Sequence, residues 1–269
     1  MKRQIAFFLS ALLLINCVFI SCQPKILGIN KSTSDILPSI VAIPKETSAD
    51  IDINPDFTRF QFPTTISAST KYLIYLHGKI IEDQGIPAVS PEFGEYEYQA
   101  ILEKLESYGF TVISEPRAKN TDGLEYAKKV SDQIRKLLDA GVPPENISVI
   151  GASKGGGITI YVSHLLDNPE IRYVIMAICS PEEIAVLKQR GVTLAGRVLS
   201  IFDSADTLAG SCQELFDFSK GMGLTEFREV VLHVGTGHGI LYKPLDEWVK
   251  PVMDWLVENP LSISLTPGG

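Results

Sequence analysis

The residues of this chain best suited to chemistry are a serine, an acid and a histidine, each beside small residues. Ser153 sits in Gly151-Ala152-Ser153-Lys154-Gly155, a G-x-S-x-G pentapeptide that follows an apolar, β-branched run at 147–150. A strand that reverses sharply into a helix needs small residues at the flanks. The serine at the apex is then held in a strained turn with its hydroxyl exposed above the sheet. The helix that follows directs free N–H groups and its positive dipole end at the same spot, which suits a developing oxyanion. Asp203 and Asp206 lie just past the run 197–202, and His238 lies in Gly235-Thr236-Gly237-His238-Gly239 after the run 230–234. A serine hydroxyl becomes a nucleophile when a histidine takes its proton and an acid orients that histidine.

Another polar turn, His77-Gly78-Lys79, directly follows the apolar run 71–76. A glycine there lets the backbone approach a substrate closely, and the N–H of Lys79 is a candidate oxyanion donor beside that of Lys154. His77 is read as a structural brace for this loop. His164 falls within the helix after the elbow and His233 within the last strand; both read as structural. No H-E-x-x-H or Cys/His pairing suggests a metal, and no cofactor is expected. Glu82, Glu95 and Arg117 are polar residues in loops near strand ends, where most such residues are solvated.

The elements that must position these groups follow from the pattern. Strands are predicted at 71–76, 110–114, 147–150, 173–178, 197–202 and 230–234, with an edge strand at 58–62 stopped by Pro63. The segment 81–91 reads as a loop. Tyr98, Ile101, Leu102 and Leu105 form one helical face ended by Gly109. Asp122 with Glu125 caps a second helix, carrying Ala127, Val130, Ile134, Leu137 and Leu138 on one side. Further helices are expected from the elbow to Leu166, after the Ser180-Pro181-Glu182-Glu183 start, and over 245–256. Strands alternating with helices call for an α/β fold with a mostly parallel central sheet and helices on both faces.

The elbow, the HG turn, the acid loop and the glycine-flanked histidine occur in the chain order nucleophile, acid, histidine. Over about 72–256 the sequence resembles the α/β-hydrolase superfamily. That resemblance implies an α/β-hydrolase fold, with Ser153 as nucleophile, His238 as general base and Lys79 and Lys154 as oxyanion donors. Asp206 is the favoured triad acid and Asp203 the alternative. The S-K-G version of the elbow is similar to that of acyl-CoA and bile-acid thioesterase relatives, although the Lys154 charge is equally suited to being solvated above the helix. The short linkers, with no long insertion between 178 and 197, imply no large cap domain and small or accessible substrates. The expected activity is cleavage of carboxylic esters through an acyl-enzyme. The alternatives are a thioesterase or peptidase on the same triad, or a non-catalytic envelope lipoprotein that binds a ligand.

Composition narrows the setting. With 269 residues and 45% hydrophobic content, one large domain is favoured over two small ones. A net charge of −8 argues against nucleic-acid binding. Lys2 and Arg3 precede an apolar stretch at 5–20 that is shorter than the roughly 20 apolar residues a spanning helix needs. Phe19-Ile20-Ser21-Cys22 resembles a bacterial lipobox, in which Cys22 is lipidated and becomes the first mature residue. Phe19 departs from the usual Leu, so ordinary cleavage or an uncleaved anchor stays open.

The expected organisation is a signal peptide at 1–21, a tether and irregular lead-in at 22–56, the hydrolase domain at 57–258 and a disordered tail at 259–269. The protein is thus expected in a bacterial cell envelope, membrane-tethered through its lipid, with a secreted or periplasmic form as the alternative. Cleavage before Cys22 takes two of the 24 basic residues and none of the 32 acidic ones, moving the net charge from −8 to −10. Cys179 and Cys212 then remain, and two packed thiols are favoured over a disulfide.

Overall fold

A computed structural model of the chain describes residues 55–257. The expected signal peptide, Cys22, the tail and all of the tether but its last two residues lie outside the described residues. Among the described residues, no helix is long and apolar enough to cross a membrane.

Six strands form one parallel sheet in the order β4-β1-β5-β6-β7-β8. These are β1 (Tyr72–Leu76), β4 (Thr111–Ile113), β5 (Ile147–Ala152), β6 (Arg172–Met176), β7 (Gly196–Asp203) and β8 (Leu224–Leu232). Every residue of β1, β5 and β6 is buried, as expected where helices cover both faces of a parallel sheet. This is why these strands read as continuous apolar runs rather than alternating ones. On one face, Leu73, Tyr75, Ile150, Val174 and Leu199 pack against α2 (Tyr98–Glu106) and α7 (Asp246–Val257). On the other, Ile74, Val149, Ile175 and Val198 pack against α3 (Gly123–Asp139), α4 (Lys154–Leu166), α5 (Pro181–Gln189) and α6 (Gln213–Ser219). Each fully buried large aliphatic side chain contributes about 1.5–3 kcal/mol, so these two layers carry most of the fold's stability.

The helix starts are set locally. The Asp122 side chain accepts from Glu125 N at 2.9 Å at the head of α3, and Ser180 accepts from Glu183 N at 3.1 Å, with Pro181 opening α5. Between β6 and β7 the described chain forms α5 and no helical cap. The architecture is a compact α/β-hydrolase fold, as expected.

Several elements differ from the sequence expectation. The edge strand expected at 58–62 is a 3-10 helix, Pro55–Phe60. Phe57 and Phe60, three residues apart, share one face of its three-residue turn and are both buried, with Phe57 stacked on Tyr98 at 5.4 Å. The expected loop at 81–91 contains most of α1 (Lys79–Gln84) and one strand of a small hairpin, β2 (Val89–Ser90) with β3 (Gly94–Glu95). The last strand runs over Leu224–Leu232, longer and earlier than expected. It pairs with β7 alone at the sheet edge, where Thr225, Glu226, Arg228 and Glu229 are tolerated and blur the apolar signal. Helix α6 has no counterpart among the expected elements.

Cys179 and Cys212 are not packed thiols. They form a disulfide across a separation of 33 residues, with Cα atoms 5.2 Å apart. Cys179 immediately precedes the cap of α5 and Cys212 caps α6, so the neighbourhood of these two helix starts decides the pairing.

Candidate active site

The chain leaves β1 for α1, whose Ile81 packs on the same face of the sheet as α2 and α7, and leaves β5 for α4 on the other. A crevice therefore opens at the carboxyl ends of these neighbouring strands, the usual ligand position in open parallel sheets. A cavity of about 170 Å³ lies there, lined by Gly78, Lys79, Ile80, Tyr96, Ser153, His238, Leu241 and Tyr242.

Ser153 stands between β5 and α4 with φ 51° and ψ −119°, a conformation that strains a residue carrying a Cβ. Its N–H donates to Met176 O at 2.9 Å, which pins the turn to β6. The flanking glycines are required by close approach. A Cβ on Gly151 would stand 2.1 Å from Gly155 O, and one on Gly155 would stand 1.9 Å from Leu76 O. Strand and helix can meet here only without side chains.

Ser153 Oγ lies 3.0 Å from His238 Nε2, and His238 Nδ1 lies 2.8 Å from Asp206 Oδ2. The three side chains thus form a hydrogen-bonded chain, with the serine hydroxyl donating to Nε2 and Nδ1–H donating to the carboxylate. The Asp206 side chain is fully buried, and its Oδ1 accepts from Leu208 N at 2.8 Å and Ala209 N at 3.2 Å.

Asp203, the alternative acid, faces other partners. Its Oδ1 accepts from Ala205 N at 2.8 Å, and its Oδ2 accepts from Val234 N at 2.9 Å and Gly235 N at 3.0 Å. It ties the acid loop to the loop that carries His238. Burial pushes its carboxyl up, but backbone N–H donors from Ala205, Val234, Gly235 and Gly237 outweigh burial and hold it below the ordinary value.

Lys79 opens α1 and Lys154 opens α4, and the first N–H groups of a helix have no partner within it. A Cβ on Gly78 would stand 3.7 Å from Ser153 Cβ, so the two turns adjoin. His77, fully buried, donates through Nδ1 to Gly78 O at 2.7 Å and accepts at Nε2 from Arg117 N at 2.9 Å. Both ring nitrogens are engaged in bracing the loop. Burial, and then the Arg117 charge, lower its pKa to about 3, so it is neutral at physiological pH.

Lys154 and two residues expected in solvent behave differently from that expectation. Glu82 and Arg117 have fully buried side chains and pair at 2.7 Å, while Glu95 is exposed. The Lys154 ammonium is not solvated above the helix. It donates to Glu82 Oε2 at 2.5 Å and to Thr121 O at 2.7 Å. The remaining histidines stand apart from the cavity lining. His164 Nδ1 accepts from Thr193 N at 3.3 Å, and His233, just past β8, bonds Ser204 Oγ at 2.9 Å.

The aromatic wall was not legible in the sequence. Phe93, Tyr96 and Tyr242 pack together, with Phe93–Tyr242 and Tyr96–Tyr242 centroids 5.3 and 5.1 Å apart, and Phe93 lies 6.5 Å from the His238 ring. Burial pushes the Tyr96 phenol up to about 12, so it remains a neutral hydroxyl, shared with Tyr75 at 2.6 Å. Among the described residues, no group of three His, Cys, Asp or Glu side chains could hold a metal ion.

No protein-family model matches the chain, and no curated protein matches it by sequence. Solved structures match in shape. Arabidopsis thaliana SOBER1 is 17% identical with a TM-score of 0.47, over 70% of this chain and 98% of its own. The alpha/beta hydrolase GrgF from Penicillium is 12% identical with a TM-score of 0.46, over 72% and 91%. A sugar hydrolase (YeeB) from Lactococcus lactis is 14% identical with a TM-score of 0.46, over 73% and 91%. At these identities and TM-scores, nothing about chemistry transfers from them.

Proposed function

We propose that this protein is a serine hydrolase that cleaves small carboxylic esters through an acyl-enzyme. The observation that carries this reading is the Ser153–His238–Asp206 chain, with links of 3.0 and 2.8 Å, at the mouth of the crevice. Ser153 Oγ attacks the acyl carbon as its proton passes to His238 Nε2, and the tetrahedral oxyanion is met by the N–H groups of Lys79 and Lys154. The C–O bond to the leaving group then breaks, and Nε2 returns the proton to the departing alcohol. Water, deprotonated by the same nitrogen, attacks the acyl-enzyme and releases the acid and free Ser153. Asp206 holds the Nδ1–H tautomer and stabilises the imidazolium that forms. A cavity of about 170 Å³ is of the size that holds a benzene-sized group, which supports short or aromatic acyl groups over long lipid chains.

The same proposal places the protein in a bacterial envelope, tethered through lipidated Cys22. The Cys179–Cys212 disulfide supports an oxidising compartment.

Intact-mass labelling with a fluorophosphonate tests the chemistry. One adduct is expected on the wild type and none on Ser153→Ala. A folded wild type that takes no adduct would refute the hydrolase reading and leave ligand binding as the function. Radiolabelled palmitate, incorporated by the wild type and absent from Cys22→Ala, is the expected sign of the anchor; an unlabelled wild type refutes it.

A further inference from the structure

One buried carboxylate is gripped by two cations that belong to different parts of the chain. Glu82 lies on α1, three residues after Lys79. Its Oε1 accepts from Arg117 Nε at 2.7 Å, and its Oε2 accepts from Lys154 Nζ at 2.5 Å. Lys154 is the residue after the nucleophile and supplies one proposed oxyanion donor; Lys79 supplies the other. Arg117 extends the linkage, because its Nη2 donates to His77 O and its backbone N–H to His77 Nε2, while His77 Nδ1 donates to Gly78 O. The chain of contacts therefore runs from the head of α4, through Glu82, to the turn that presents Lys79.

Stability gives little reason for this arrangement. Two cations, of which only Lys154 keeps part of its side chain in solvent, and one anion leave a net positive charge, and Arg117 Nη1 is buried without a hydrogen-bond partner among the described residues. Such triads are often no more stabilising than apolar side chains of the same volume. Geometry gives a better reason. Helix α1 has only six residues and no side-chain cap, so it does little to fix its own position. Oxyanion donors act only when held about 2.7–3.1 Å from the place where the charge develops.

We propose that Glu82 is a positioning residue that sets the separation of the Lys79 and Lys154 N–H groups by holding the Lys154 ammonium and the Arg117 guanidinium at once. This rests on the reading of Ser153 as nucleophile.

The test is steady-state hydrolysis of a p-nitrophenyl ester by the full chain, with fluorophosphonate labelling alongside. Glu82→Gln keeps the shape and removes the charge. Its kcat is expected to fall about 10²-fold, the loss typical of a misplaced reacting group, with KM nearly unchanged and the shape of the pH profile kept. Lys154→Met, at a half-buried position, should reproduce the kcat loss and serves should Glu82→Gln fail to fold. The double variant should fall no further than the worse single one, because both remove one device. Asp132→Asn, on the exposed face of α3 with Arg135 as its partner, should match the wild type. A wild type that labels at Ser153 while Glu82→Gln or Lys154→Met stays within twofold of it overturns this proposal alone, as does multiplicative loss in the double variant. A wild type that never labels overturns the hydrolase reading and this proposal with it.

Discussion

Removing the Cys179–Cys212 bridge should lower both stability and turnover. The bridge closes a segment of 33 residues. The chain-entropy relation then gives about 4 kcal/mol of stabilisation at 25 °C from restriction of the unfolded chain. In a domain of this size each kcal/mol moves Tm by roughly 2–4 °C, so the double variant Cys179→Ala/Cys212→Ala should melt about 8–16 °C lower. The bridge also borders the loop that presents Asp206. Gly210 N donates to Cys179 O at 2.7 Å, and Cys212 N donates to Glu229 Oε2 at 2.7 Å. Loosening this end should reduce kcat as well, by up to about tenfold if the loop shifts by a fraction of an ångström. The assay is thermal unfolding by circular dichroism with and without reductant, beside a non-reducing peptide map. The wild type should yield a Cys179–Cys212 crosslinked peptide and lose Tm on reduction, whereas the double variant should be indifferent to reductant. Free thiols at both positions in the mapped wild type would refute the bridge. A crosslinked wild type and a double variant melting within 2 °C of each other would refute the energetic argument.

Two further outcomes follow from the carboxylates and from His77. Asp206→Asn should cost roughly 10⁴ in kcat with little change in melting, since the His238 tautomer is lost while the fold is kept. Asp203→Asn should instead cost about 1–3 kcal/mol in urea unfolding, because one amide oxygen cannot replace a carboxylate accepting several backbone N–H groups; equal kinetic losses in the two variants would contradict the assignment. His77 binds a proton at about 6.5 when unfolded and at about 3 when folded, so the unfolded state takes up the proton first. The stability it contributes is present above pH 6.5 and is lost as pH falls towards 3, about 2 kcal/mol of it between pH 7 and 5. Urea midpoints should show that slope in the wild type and a shallower one in His77→Asn, and parallel slopes would remove the linkage.

Features that depend on neighbours along the chain are legible in the residues alone. Apolar runs such as 72–76 and 147–150 can only be buried strands, and Asp122 and Ser180 can cap helices because their acceptors reach N–H groups three residues on. The elbow was legible because Gly151 and Gly155 border it directly in sequence. Residues whose role depends on distant partners stayed hidden. Nothing local separates a solvated Glu82 from one buried between Arg117 and Lys154, 35 and 72 residues away. Asp203 ends β7 and Asp206 lies three residues beyond; the resemblance favours Asp206, but the partners of each come only from the fold, which turns Asp203 towards the backbone of 234–235 and Asp206 towards His238. The aromatic wall and the disulfide belong to the same class. The charged edge strand β8 and the two-turn helix α1 were obscured because pairing on one side and burial of two residues leave weak periodicity. Local sequence fixes conformation through short-range sterics and capping, whereas which charges and thiols meet is set by sheet order and helix packing, which only the folded chain possesses.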